Sequence, residues 1–583
     1  MKIVAKNLLL ILLVFTFGCL KAKKSAFDLS NKSSSLGPVG LFLASVKPTT
    51  SSSTETTEEA APSNITYPTS TPRKLIPGQT LVIPPPTVSG KVESWSIAPL
   101  PLPSWVSFNT STGEITINTP STPPSQTESY VFTITATNAS GSVSATVPIE
   151  RLGTGANVWT VMNGVSGADT KAGTNSMKYD STCNCLYLGG ATTGNLDGQT
   201  LTTTGSERSA FLSKFDLDGN RIWTRVFGII GSSTNYTNAL GITNDSVGNI
   251  YVTGIKSSGN FMGCTSSAIY TGYVVKYDPQ GNFQWTTCTG TSHRHYYTGL
   301  LVDNNGDIVA AGTTYDNGID GMNHSSTTDQ AGIIQKFNPN TGARITGTII
   351  PGNTARGTDI YGVAKDSTGK IYLAVATRAS AYCGDGTVNW RPALFRYDTN
   401  ISYLGCTPIS SASVSVYSFG ATATPSGESY LSGYVEGAVP FDGYANIGTV
   451  DGYFTKFNNT GIKQWTRRIG VTGNITAINS TYYDPSEDKL YITGTTGGNL
   501  QGNTIVGTKD MFVAKYDSNG NQIWLKMQGV QNDTISAHHG DPTSITFDNN
   551  KTLYSFGETN GTVAGVSNPA TPNRSYFLVR NVQ

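Results

Sequence analysis

The chain has 583 residues, too many for one ordinary core, so several modules or a repeat array are expected. Charged residues make up 13% and Gly numbers 64, with Ser, Thr and Asn filling the remainder, which favours short strands and many turns over helices. The formal net charge is +1 and the one basic block is Lys21 to Lys24, which argues against nucleic acid as a partner.

The N-terminus carries Lys2 and Lys6, an apolar run from Leu8 to Phe17, then Gly18 and Cys19. That run is shorter than the about 20 residues of a membrane-spanning helix and has the anatomy of a secretory signal. A small residue directly before Cys resembles a bacterial lipobox, with Thr16 and Phe17 in place of the usual Leu and Ala. The resemblance implies a lipoprotein signal peptide over 1–18, lipidation of Cys19 and attachment to a membrane through that anchor. Two or more acyl chains, at about 0.8 kcal/mol per buried methylene, hold stably. The expected location is the bacterial cell envelope, anchored to the outer membrane and exposed at the surface. The alternative is a plain cleaved signal with an incidental Cys. Residues 19–63 are poor in aromatics and rich in Ser, Thr and Lys, the composition of a flexible tether with too little to bury.

Residues 64–151 change to strands punctuated by Pro. Alternation over Tyr130 to Thr137 places one face on a core, and the turn at Asn138 leads into a last strand. LPSWVSFNTSTGEITI from Leu102, followed by YVFTITATNASGS, resembles the Ig-like domains of bacterial surface proteins. The resemblance implies a small β-sandwich acting as a spacer. Trp95 and Trp105 are expected in its core rather than on a ligand. Glu150 alone does not make a calcium site.

From 157 to 583 one pattern recurs: a strand, a Gly/Asn turn and a strand with Trp, plainest in MFVAKYDSNGNQIW from Met511. Its relatives are FLSKFDLDGNRIW from Phe211, YVVKYDPQGNFQW from Tyr273 and YFTKFNNTGIKQW from Tyr453. We align Trp159, Trp223, Trp285, Ile345, Leu404, Trp465 and Trp524, at spacings of 64, 62, 60, 59, 61 and 59. A second hairpin, such as GITNDSVGNIYVTG from Gly241, lies between copies, so each unit supplies four strands. Repeated four-stranded sheets predict an all-β fold, a seven-bladed β-propeller. The lone strand at Asn157 and the unfinished hairpin at Tyr576 are expected to pair and close the ring. The motif is similar to the bacterial SBBP-type β-propeller repeat, with Ile345 and Leu404 in divergent units. That family implies architecture and an exported location, and no common reaction.

The Asp and Gly of D-x-x-G-N are expected to shape turns rather than bind calcium, since they recur in most hairpins. These tight turns share one face of the disc. The longer connections, such as Ile255 to Gly272 and Gly228 to Ala239, share the other, where a ligand is expected. Matching positions in two units predict disulfides Cys264–Cys288 and Cys383–Cys406, which suits an exported protein. Cys183 and Cys185 share one turn and either form a small-ring disulfide or stay reduced. His293, His295, His324, His538 and His539 are expected as solvated loop residues, not metal ligands. No catalytic signature appears, and neither metal nor cofactor is expected. The preferred function is a monomeric, lipid-anchored surface protein whose long-loop face binds a protein or glycan partner. The alternatives are a quinoprotein-like periplasmic enzyme, because NPNTGARI from Asn338 resembles quinoprotein repeats, or a purely structural envelope protein.

Overall fold

The computed structural model describes residues 59–68, 72–201, 208–229, 236–290, 294–315, 318–319, 321–323, 330–350, 357–378, 383, 390–410, 416–437, 440–531 and 543–583. The signal, Cys19, the tether through Glu58, and His293, His324, His538 and His539 lie outside the described residues.

The first module has two main sheets and a two-stranded one, Ser63–Thr66 with Thr87–Ser89. One main sheet orders Arg73–Leu75, Gly141–Arg151, Glu128–Asn138 and Ser94–Ala98; the other orders Thr80–Ile83, Ile115–Asn118 and Val106–Phe108. Alternation along Glu128–Asn138 sends Phe132, Ile134 and Ala136 inward, onto a core that holds Trp95 and Trp105. Trp105 meets Tyr130 edge-on at 5.2 Å, a packing role.

The repeat region is built of four-stranded antiparallel units, the first two joined by a single parallel bridge between Asn175 and Gly241. The second unit shows the pattern: Thr237–Asn244, Ile250–Phe261, Cys264–Tyr277 and Phe283–Thr289. The other first strands are Thr170–Asp180, His295–Val302, Thr358–Lys365, Val416–Ala423, Thr476–Asp484 and Ser544–Phe547. Each first strand touches the next, and Ser544–Phe547 returns to Thr170–Asp180, so the sheets form a closed β-propeller ring. Middle strands such as Cys185–Thr192 and Ile308–Thr314 are buried along their whole length because neighbouring sheets cover both faces. Continuous apolar and small residues meet that demand.

The turns follow one chemistry. In the second unit Asp278 Oδ1 accepts the backbone N–H groups of Gln280 and Asn282, and Oδ2 accepts the Asn282 side chain. Asp216 and Asp517 repeat the arrangement, and Asn458 accepts the same backbone bonds in unit five. The carboxylates are therefore occupied by their own turns.

Each turn also latches onto the preceding sheet. Gly281 has φ +78°, and a Cβ there would stand 3.0 Å from the Trp223 ring; Gly219 and Gly520 approach Trp159 and Trp465 in the same way. Lys276 Nζ and Trp285 Nε1 both donate to Pro339 O, and Lys214 and Lys336 likewise reach turn carbonyls of the following unit. Lys214 and Lys276 also lie over tyrosine rings, 5.4 Å from the centroid of Tyr187 and 5.5 Å from that of Tyr251, whereas Lys336 pairs with Asp303.

The pairing corrects two of the aligned positions. Trp223, Trp285, Trp465 and Trp524 stand opposite Lys214, Lys276, Lys456 and Lys515. In units three and four the residues opposite Lys336 and Arg396 are Thr346 and Gly405. Ile345 and Leu404 sit on the adjoining bulge, 51% and 45% exposed, as Ile222 and Ile523 do at 53% and 49%. A bulge offsets the side-chain period by one, and an apolar residue there mimics the missing Trp in sequence.

Asn157–Asn163 pairs antiparallel with Ser575–Asn581, beside Leu553–Thr559. The junction rebuilds the common turn from two chain segments. Val582 N–H donates to Ala156 O and Gly155 N–H to Val582 O, matching Asp278 to Asn282 and Gly281 to Asp278 in unit two. At the axis, Asn175 Nδ2 donates to Thr298 O at 3.0 Å and Tyr361 O at 2.8 Å, linking units one, three and four.

Two predictions follow from the turns. Gly281→Ala combines left-handed strain, about 1–2 kcal/mol, with displacement of Trp223, whereas Gly306→Ala has open space around its Cβ and bears strain alone. Thermal unfolding should show the larger loss for Gly281→Ala; equal losses would mean that contact with Trp223 adds nothing to stability. For Asp278, Asp398 and Asp517, burial pushes the carboxyls up, but the turn hydrogen bonds outweigh it and hold them below the usual range. Their contribution is present above about pH 4 and is lost as pH falls through the depressed folded values. Replacing all three by Asn should flatten the dependence of the urea midpoint on pH between pH 6 and pH 3.

Candidate binding face

Strand polarity puts the tight turns on one face of the ring and the longer connections on the other. In six of the seven first strands the second residue lies at the rim of that long-connection face: Lys171, Asn238, Tyr296, Asp359, Tyr417 and Ala477. Flanking positions keep Thr in four of these strands, Thr170, Thr237, Thr358 and Thr476, while the rim position varies. Function is expected where a repeat departs from itself.

Aromatic and arginine side chains cluster there in an arc of contacts from unit one to unit five. Arg208 lies over Tyr236 at 5.8 Å, and Tyr236 meets Tyr270 edge-on at 6.4 Å. Arg294 is exposed and lies 5.5, 5.2 and 5.8 Å from the ring centroids of Tyr270, Tyr296 and Tyr315. Tyr361 packs on Phe419 at 4.8 Å, and Tyr417 on Tyr434 at 5.0 Å. Arg378 lies 4.8 Å from the Trp390 ring.

Asp359 sits beneath the arc. Its oxygens accept Thr313 Oγ1 at 2.9 Å, Gln330 Nε2 at 2.7 Å, and the hydroxyls of Tyr296 and Tyr361 at 3.4 Å each. Burial raises its carboxyl above the ordinary range, more than these donors and the nearby Arg294 lower it. Across the rim, Glu558 is raised by burial while Arg574 and the Ala172 N–H hold it. Lys256 in unit two donates to Ser257 O and Gly259 O, and burial lowers it to about 8.

The cysteines pair as Cys264–Cys288, Cys383–Cys406 and Cys183–Cys185. The first two pin the arc: Cys264 opens the strand that carries Tyr270, and Cys383 stands between Arg378 and Trp390. The stretch from Ile255 to Gly272, expected as a loop with Cys264 in it, is instead a hairpin continuing strands Ile250–Phe261 and Cys264–Tyr277. The turn falls at Met262 and Gly263, both with positive φ, and not at Ser258-Gly259-Asn260, which stays within the strand. Asp180 lies close to Cys183 and Cys185, but the two sulfurs are bonded to each other and Asp180 caps Thr182, so this group is a turn.

His295 is not a solvated loop residue. It is wholly buried in the first strand of unit three, 4.6 Å from Tyr297. The close Gly272 leaves room for its ring.

A cleft of about 590 Å³ lies at the other face, between Ile76, Pro77 and Ser121 of the first module and Lys515, Lys551 and Arg580. Its cations are already paired, with Glu487 at 2.5 Å, Asp484 at 2.8 Å and Asp218 at 3.7 Å. The first module thus meets the ring on the tight-turn side.

No family model and no curated protein matches the chain. Among solved structures it is similar to a quinonprotein alcohol dehydrogenase-like protein from Bacteroides thetaiotaomicron, at 11% identity over 80% of this chain and 97% of that one, TM-score 0.34. A protein of unknown function from Dyadobacter fermentans matches at 9% identity over 73% and 99%, TM-score 0.34. A member of the duf4221 family from Bacteroides vulgatus matches at 9% identity over 73% and 97%, TM-score 0.31.

The buried carboxyl gives a third prediction. Because the folded value of Asp359 is raised, its contribution is full below about pH 4 and is lost as pH rises through that value. Relative to wild type, Asp359→Asn should therefore be more stable at pH 7 than at pH 4; a difference of the opposite sign would refute the burial argument.

Proposed function

We propose that this is a lipid-anchored envelope protein in which an Ig-like sandwich carries a seven-bladed, SBBP-type β-propeller, and that the long-connection face binds a macromolecular partner. The tether and Cys19 anchor it to the outer membrane, and the propeller acts as a monomer. One observation carries the reading: the arc from Arg208 to Arg378 lies on the face opposite the one where the first module docks. A module that approaches from the turn side leaves the varied face directed away from its own attachment. Asp359 is engaged by its own hydrogen bonds beneath the arc, which fits a binding role better than acid–base chemistry.

The test is protease digestion of the propeller on intact cells against lysed cells. Digestion on intact cells is expected. Protection until lysis would place the ring inside the envelope and discard surface binding.

A further inference from the structure

Other arginines in the ring have acceptors of their own: Arg468 has Asp451 and Arg574 has Glu558, while Arg225 and Arg467, which also stack on Trp223 and Trp465, donate to the turn carbonyls of Gly281 and Gly520. Arg208, Arg294 and Arg378 are held by aromatic rings instead, and among the described residues none of the three forms an ion pair. Arg378 Nε is buried without an acceptor. Asp359 is near enough to influence Arg294, but its oxygens are occupied by Thr313 and Gln330. Stacking fixes each guanidinium in place while leaving its N–H fork open to an anion.

Resting on the binding-face reading above, we propose that this arc binds an acidic polysaccharide, a chain of carboxylated sugars. A sugar ring presents a flat C–H face that stacks on tyrosine and tryptophan, and hydroxyls that pair with the tyrosine O–H groups. A sugar carboxylate matches the planar guanidinium fork in a way that a neutral sugar cannot. The arc alternates these elements in order: Arg208 and Tyr236, then Tyr270 and Arg294, then Tyr296 and Tyr315, and on to Arg378 with Trp390. Repetition along units one to four suits a linear chain rather than a single residue. An acidic peptide would be served by charge alone and makes no use of a row of ring faces. The two disulfides hold Tyr270 and Arg378 with Trp390 ready before binding, which lowers the ordering cost.

The test is equilibrium binding of the full chain, purified in detergent, to polygalacturonate. Dextran and poly-L-glutamate of similar length are the comparison ligands. Polygalacturonate should bind, more weakly as salt rises, with dextran far behind. Arg294→Ala and Arg378→Ala should each weaken binding at least about tenfold, the effect of losing one charged hydrogen bond. Arg294→Lys, which keeps the charge but not the fork, should fall between wild type and Arg294→Ala. It carries the test if an alanine variant lowers the thermal midpoint. Absent binding to polygalacturonate, equal binding of dextran, or undiminished binding by both alanine variants overturns the proposal. Equal or tighter binding of poly-L-glutamate overturns it in favour of an acidic protein partner. Digestion on intact cells reports separately on the reading beneath it, so surface exposure without polygalacturonate binding would sink only the ligand class.

Discussion

The ring depends on one repeated contact, in which the glycine turn of a unit lies on the aromatic ring of the unit before it. That glycine is doubly constrained: the turn needs a positive φ, and the neighbouring indole leaves no space for a Cβ. The lysine opposite the Trp then reaches across to the same turn and donates to its carbonyl. Turn chemistry, side-chain packing and a charged hydrogen bond thus act at one place. The exception supports this account. Units three and four lack the Trp, with Thr346 and Gly405 in its place. The turn that covers unit four keeps Gly461, against Arg396, and the turn that covers Thr346 has Ile401 where the others have Gly. Ile401 keeps a φ of 63° and is buried in the core of that interface. A side chain from the turn fills the volume that the missing indole leaves, at the cost of a strained backbone.

A ring of such contacts has no natural end, so the chain termini of the repeat must be absorbed somewhere. Pairing Asn157–Asn163 with Ser575–Asn581 does so, and the split turn retains the hydrogen bonds of an unbroken one. Gly155, with φ +75°, occupies the glycine position, and its neighbour across the interface is Lys526. The pairing covers the edge of Ser575–Asn581 and gives that unit the same four strands as the others. The first module enters directly ahead of Gly155, and Thr154 N–H donates to Pro124 O within it. Closing the ring and seating the module therefore involve the same few residues.

Much of this was legible in the sequence because repetition multiplies a weak signal. One KYD hairpin is ambiguous, whereas related hairpins at near-constant spacing fix strand number and turn position. The errors fell where the repeat is locally degenerate. Ile345 and Leu404 resemble a Trp position in hydropathy, and only the bulge, a feature of pairing and not of composition, shifts them outward. His295 reads as a loop residue beside Arg294, yet the first strand begins there and draws it inside. The arc was invisible for a different reason. Its members are scattered between 208 and 434, at the ends of strands in separate units, and proximity arises only when the ring closes. A trace was available: aligned first strands keep Thr at the outer position and vary at the next, giving Lys171, Asn238, Tyr296, Asp359, Tyr417 and Ala477.

The two faces divide the work of the chain. On the turn side, carboxylates and amides are consumed by caps and latches, so each unit resembles the next and little remains to recognise a ligand. The connections on the far side carry no such duty and are free to differ. Where they must be held, disulfides hold them. The same division appears in the arginines. One paired with a buried carboxylate, as Arg468 is with Asp451, is satisfied and offers nothing outward. One laid on a tyrosine face, as Arg294 is, gains position without neutralisation. Leaving a guanidinium in that state gives up an ion pair that a single nearby Asp could supply. The nearest described carboxylate, Asp359, spends its oxygens on Thr313 and Gln330, so the guanidinium of Arg294 keeps its fork free of an ion pair among the described residues.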